Sequence, residues 1–292
     1  MRLRTLLGMY PNTRALREGR IRPSESELEF ADVKVPNRAF KAVVRDLSFD
    51  VAELAIMTFL QAKSWGKPLV LVPARVGPAR FQHHCLVYDA ERGPLRPQDL
   101  VGRRIGARAY AQTTVTWVRG FLAEDYGVAP ERARWITMED GHVAEYRDPP
   151  HAERAPEGKE LTAMLLAGEI DAAIIGNELP DDGRVQPLIA DHDAAAKDWA
   201  RRHRAVPINH MIVVKSSLAR SAPEVVSELY DVLQEARRAE SQRTEGAPER
   251  SEFNMAPYGV EANRSALEVA IEYASRQGML PRPLTVDELF EV

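Results

Sequence analysis

Apolar residues in this chain fall into short continuous runs, separated by stretches where they recur every three or four positions. The runs at residues 3–9, 28–32, 50–54, 69–73 and 83–88 predict strands, and the spaced stretches at 12–18, 37–46 and 55–63 predict helices between them. Continuous runs suit strands buried on both faces, as in a sheet built from strand–helix–strand units. The middle of the chain repeats the pattern with a strand at 103–107, a helix ending at Tyr126, a strand at 134–137, a helix at 159–167 and a strand at 170–175. Another apolar strand at 210–214 precedes long helices at 223–241 and 260–276. The economical arrangement is two α/β lobes, residues 1–88 with 208–292 and residues 89–207, with crossings near 88–93 and 206–210. Segments 142–158, 178–184 and 244–257 read as loops by their polar, Pro and Gly content.

The densest local signal is DLVGRRIGARAYAQTTVTWVRGFLAEDYGV, residues 99–128. It predicts a short strand, a polar loop carrying Tyr110, Gln112, Thr113 and Thr114, and a helix closed by Gly127. A helix start offers unpaired backbone N–H groups and a positive dipole end, so hydroxyls placed there suit an anionic ligand. Arg119, inside the same helix, either reaches that anion or faces solvent.

Composition narrows the classes. With 45% hydrophobic and 28% charged residues the chain lies well outside the disordered range. A net charge of −4 gives no reason to expect nucleic acid or an anionic membrane as partner. The single cysteine, Cys85, excludes an intrachain disulfide and a cysteine-based zinc cluster, and its apolar surroundings suit a small buried hydrophobe. No apolar run reaches the roughly 20 residues of a membrane helix. The N-terminal MRLRTLLGMY lacks the apolar length of a secretory leader and reads as a first strand, so the expected location is the cytoplasm. P-loop, dinucleotide, GxSxG and HExxH patterns are absent.

LREGR after the first strand, DVAEL, FQHHCLVYD, DLVGRRIG, WVRGFLAEDYGV, EGKELTAMLLAGEIDAAI and PINHMIVV follow one another in an order that resembles the 4,5-dihydroxyphthalate decarboxylase family, over about residues 1–245. DLVGRRIG and LLAGEIDAAI are its least specific parts; FQHHC, the WVRG helix and PINH are more specific. The resemblance implies a two-lobed α/β fold of the type II periplasmic-binding-protein kind, with mixed sheets flanked by helices and a ligand cleft between the lobes. It also implies non-oxidative loss of carbon dioxide from a hydroxylated aromatic (phthalate-like) carboxylate, giving protocatechuate in the namesake reaction. Solute-binding proteins share this fold, so a non-catalytic binding protein or sensor for a small carboxylate is the alternative, and a biosynthetic enzyme on hydroxybenzoate-like precursors a third.

Such a reaction needs a base near the phenol and an acid near the ring carbon that loses the carboxylate, and demands no cofactor. Histidine carries protons at neutral pH, and His83 and His210 fall where the resemblance sets them, near the two expected crossings and facing the cleft. On a regular strand His84 would point to the face opposite His83. Glu53, in an otherwise apolar strand, either starts the next helix as an anion or orients a histidine. Arg14, Arg80, Thr113, Thr114 and Arg119 are the candidates for holding a carboxylate, with Arg119 favoured. Thr58 could line the cleft, and Tyr110 and Trp117 either stack on the aromatic ring or belong to the core. His142, His151, His192 and His203 fall in polar loops or a charged helix and read as solvated. His83, His210 and Glu53 match by type a two-histidine-one-carboxylate set, so a divalent metal is the alternative to metal-free chemistry, although no short ligand spacing supports it. The expected partner is a small aromatic carboxylate, with no nucleic acid and no membrane; self-association is left open.

Overall fold

The structure, a computed structural model, describes residues 1–77, 80–176, 180, 182–243 and 252–292. Along the chain it runs β1 (Arg2–Leu6), α1 (Arg14–Arg17), β2 (Glu27–Phe30), α2 (Phe40–Arg45), β3 (Val51–Ala55), α3 (Ile56–Ser64) and β4 (Leu69–Val76). There follow β5 (Leu86–Asp89), β6 (Arg104–Ala107), α4 (Thr113–Tyr126), β7 (Arg134–Thr137), β8 (Ala152–Arg154), α5 (Leu161–Leu166), β9 (Ala172–Ile174), β10 (Val185–Pro187) and α6 (His192–His203). The chain closes with β11 (His210–Lys215), α7 (Ser216–Ser221), α8 (Pro223–Arg243) and α9 (Val260–Arg276). Parts of two expected loops, Glu178, Leu179 and Asp181 in the first and 244–251 in the second, lie outside the described residues.

Two compact units result. The first comprises Met1–Arg80, Ile208–Ile271 and Leu280–Val292; the second comprises Phe81–Pro207 and Glu272–Met279. The first unit's sheet has the order β2-β1-β3-β11-β4. β1 pairs in parallel with β2 and β3, whereas β11 enters antiparallel between β3 and β4. Its core joins Leu3, Val51, Val72 and Ile212 of the sheet to Val225, Leu229 and Leu233 of α8. The apolar stripe of α8 recurs at helical spacing, so one face of the helix is buried against the strands. The second sheet has the order β10-β5-β9-β6-β7-β8, with Val87, Ile136, Leu165 and Ala173 in its core.

The unit boundary departs from the expected one at residue 88. Leu86 and Val87 pair with Ile174 and Ala173 of β9, so β5 belongs to the second sheet. The strand expected over 83–88 is also shorter, because His83–Cys85 form a 3₁₀ turn in which the Cys85 N–H bonds the Gln82 carbonyl at 3.0 Å. Within the segment read as the loop 142–158, Ala152–Arg154 adds an edge strand beside β7. Among the described residues no helix is long and apolar enough to cross a membrane.

Candidate functional site

β3 is buried at every position, and Glu53 is its one charged residue, with 0% of its surface exposed. A carboxylate there costs several kcal/mol in lost hydration unless donors replace the water. Three do. The Gly8 N–H donates to Oε2 at 2.5 Å, the Tyr10 hydroxyl donates to Oε1 at 2.8 Å, and His210 Nδ1 lies 3.0 Å from the same Oε1.

The segment after β1 delivers two of these donors. Thr13, fully buried, accepts the Tyr10 N–H at 2.9 Å and donates its hydroxyl to the Gly8 carbonyl at 2.7 Å. The tight turn folds the Tyr10 ring back over Gly8 so closely that a Cβ on Gly8 would lie 2.5 Å from it. Only glycine leaves room for both the ring and the N–H contact. Burial and the adjacent Glu53 carboxylate hold the Tyr10 phenol far above its usual range, so it stays a donor.

His210 comes from the other direction. It opens β11 opposite Ala55 and Val76, and the edge of its ring meets Phe40 with centroids 5.2 Å apart. Its side chain is 23% exposed where Glu53 has none, so the imidazole is the member of the pair that meets solvent. A proton on Nδ1 would face the carboxylate and leave Nε2 as the ring's other hydrogen-bonding atom. Glu53, expected either to start the next helix as an anion or to orient a histidine, lies against His210, and the Tyr10 hydroxyl on the same carboxylate is a contact that sequence reasoning missed. Arg75 was missed as well. It is buried on β4 beside this end of the sheet, donates to Asn263 Oδ1 at 2.6 Å, and is lowered by burial to about 9. A single charge inside LVLVPARV was its signal, as Glu53 was inside VAELA; nothing local marked Tyr10.

Other expected residues of the first unit are more loosely placed. Arg14 opens α1 directly after Thr13, is half-buried, and has no ion pair among the described residues. Thr58 is buried in the first turn of α3. Arg80 is half-buried and follows Pro78 and Ala79, which lie outside the described residues.

In the second unit the expectations divide. Thr113 and Thr114 are buried at the start of the 14-residue helix α4, behind Gln112. A Cβ on Gly176 would come within 3.0 Å of Thr114 Oγ1 and 3.1 Å of Gln112 Nε2, so this hydroxyl and amide face the backbone after β9. Arg119, expected to hold a carboxylate, is instead an internal strut with 0% exposure. Its Nη1 donates to the Tyr110 carbonyl at 2.7 Å, its Nε donates to Gln277 Oε1 at 2.6 Å, and its guanidinium lies 3.6 Å from the Tyr110 ring centre. Those contacts use the groups that a ligand would need, and burial lowers its pKa.

Tyr110 is correspondingly buried, with its hydroxyl 2.9 Å from His151 Nε2. Trp117 lies in an aromatic core against Trp199 and Tyr273, with centroids at 5.8 and 5.7 Å. The same core takes His83. His83 is 1% exposed, its ring stacks on Phe121 at 3.9 Å, and neither ring nitrogen has a hydrogen-bond partner among the described residues. Burial, reinforced by His192, His84 and Arg202, pushes it down to about 3, so it is neutral at pH 7 and cannot act as an acid there. Two histidines read as solvated also have partners, His151 on Tyr110 and His203 on Glu124 at 2.7 Å. No group of three His, Cys, Asp or Glu side chains among the described residues is arranged to hold a metal ion.

Comparison with solved structures defines the class. The alkanesulfonate-binding protein SsuA from Xanthomonas axonopodis pv. citri, bound to MOPS, superposes with a TM-score of 0.64 over 99% of this chain and 97% of its own, at 16% identity. The periplasmic aliphatic sulphonate binding protein SsuA from Escherichia coli gives 0.62 over 100% of this chain and 92% of its own, at 14% identity. The fold is that of the periplasmic binding proteins. No family profile matches the chain. Two curated relatives, each named 4,5-dihydroxyphthalate decarboxylase, are nearer in sequence. That of Comamonas testosteroni is 31% identical over 243 residues, 76% of this chain and 71% of the relative; that of Pseudomonas putida is 31% identical over 215 residues, 69% of this chain and 82% of the relative. The chain belongs to the 4,5-dihydroxyphthalate decarboxylase family.

Proposed function

We propose that this protein is a carboxy-lyase that removes carbon dioxide, without oxidation, from a hydroxylated aromatic carboxylate of the 4,5-dihydroxyphthalate kind, and that His210 with Glu53 moves the protons. The observation that carries the mechanism is the 3.0 Å contact between a partly exposed imidazole and a wholly buried carboxylate on a central strand. His210 Nε2 takes the phenol proton. The phenolate pushes electron density to the ring carbon para to it, that carbon takes the proton back from the imidazolium, and the bond to the carboxylate then breaks, its electron pair returning through the ring to the phenolate oxygen as carbon dioxide leaves. Glu53 stabilises the imidazolium that forms between the two transfers.

Arg14 takes the role of carboxylate-binding arginine that Arg119 cannot fill, with Thr58 and Arg80 as further contacts. Thr113 and Thr114 offer a carboxylate the N–H groups and hydroxyls of a helix start. The chemistry draws its electrons from the phenol, so the reading is metal-free; a divalent ion at Glu53 and His210 is the competing version. Purified protein incubated with 4,5-dihydroxyphthalate should release carbon dioxide at the same rate with and without chelator. Tight binding with no release would leave the protein a small-carboxylate binder on the same fold, and loss of release on chelation would put a metal into the mechanism.

A further inference from the structure

We propose that Tyr10 is a positioning residue that fixes which nitrogen of His210 exchanges protons. The kinetic part of this inference rests on the decarboxylase reading; the structural part does not. Tyr10 and His210 converge on one atom, Glu53 Oε1, while the Gly8 N–H holds Oε2. The terminal torsion of a glutamate is intrinsically broad, so a carboxylate with one partner would swing and present either oxygen. Gripped at both oxygens, it cannot, and its direction toward Nδ1 is set by groups other than His210. Tyr10 is itself held, through the Thr13 bonds to its own N–H and to the Gly8 carbonyl and through the ring's contact with Gly8. The order of command is therefore turn, phenol, carboxylate, imidazole. With Nδ1–H committed to Glu53, Nε2 alone is free for proton transfer.

Phenylalanine at position 10 keeps the ring on Gly8 and deletes only the donor. In Tyr10→Phe, labelled with ¹⁵N, the ring correlations of His210 should change from the Nδ1–H tautomer of the wild type to a mixture. The kcat for carbon dioxide release should fall about tenfold to a hundredfold, the scale on which loss of a supporting partner acts, with KM within about twofold. In a His210→Gln background, adding Tyr10→Phe should lower the residual rate no further, which a purely structural role would not predict. Gly8→Ala, which displaces the phenol without removing it, should give the same mixed ring signature and serves if Tyr10→Phe does not fold. Wild-type ring signatures in these variants, or an equal loss of rate in the His210→Gln background, overturn the proposal. If the wild type releases no carbon dioxide, the decarboxylase reading falls and the ring spectra alone decide the role of Tyr10.

Discussion

His210 and His83 look alike in the sequence, each beside a strand and near an expected crossing, yet the two units give them opposite chemistry. In the first unit an imidazole lies against a buried carboxylate that two other donors hold in place. In the second an imidazole is stacked on Phe121 within an aromatic core, and neither of its nitrogens has a hydrogen-bond partner among the described residues. Burial alone does not make a functional histidine. A fixed acceptor at one nitrogen and access at the other do, because a proton carrier must stabilise its charged form and reach the ligand.

The contrast is sharpest in rate. His210→Gln should lower kcat by about a thousandfold, within the range of general acid–base catalysis, while circular dichroism and the thermal midpoint stay close to wild type. A kcat within tenfold of wild type breaks the assignment. Arg119→Lys tests the second unit next. Lysine cannot reproduce the forked bonds to Tyr110 and Gln277 or the stacking on the Tyr110 ring. Each lost hydrogen bond to a charged group is worth about 1.5–3 kcal/mol, so urea denaturation should show a loss of roughly 2–3 kcal/mol, with KM unchanged. A tenfold rise in KM at unaltered stability would return Arg119 to ligand binding.

His83→Leu should have the smallest effect, with kcat within about twofold of wild type. Removing two buried, unsatisfied nitrogens is close to neutral or stabilising by about 1 kcal/mol. The informative quantity is its pH dependence. The folded-state pKa, about 3, lies below the unfolded value near 6.5, so between these limits the unfolded chain binds the extra proton. Stability is then full above about pH 6.5 and falls as pH drops toward 3. His83→Leu should flatten the melting temperature over that window, and an unchanged profile would show that the ring is not held neutral.

How much of this was legible varied by residue. Glu53 stood out because a charge in an otherwise apolar strand has to be either exposed or engaged, and the strand's runs excluded exposure. His83 misled because its alternating position assumed a strand, whereas the chain turns at 83–85 before β5 begins. Arg119 misled because helical position does not say whether a long side chain points to a ligand or back to Tyr110 and across to Gln277, 158 residues later. Tyr10 was invisible, since its function depends on a carboxylate 43 positions away.

By itself, the sequence determined the alternation of strands and helices, the family, and the presence of a charge in the middle of β3, since these depend on local spacing and on which residues tolerate burial. Only the tertiary structure decided which imidazole has a carboxylate, which arginine is already occupied, and that a tyrosine on the turn after β1 completes the group. Those outcomes depend on atoms brought within about 3 Å from distant parts of the chain, and hydrogen bonds lose most of their strength beyond that reach.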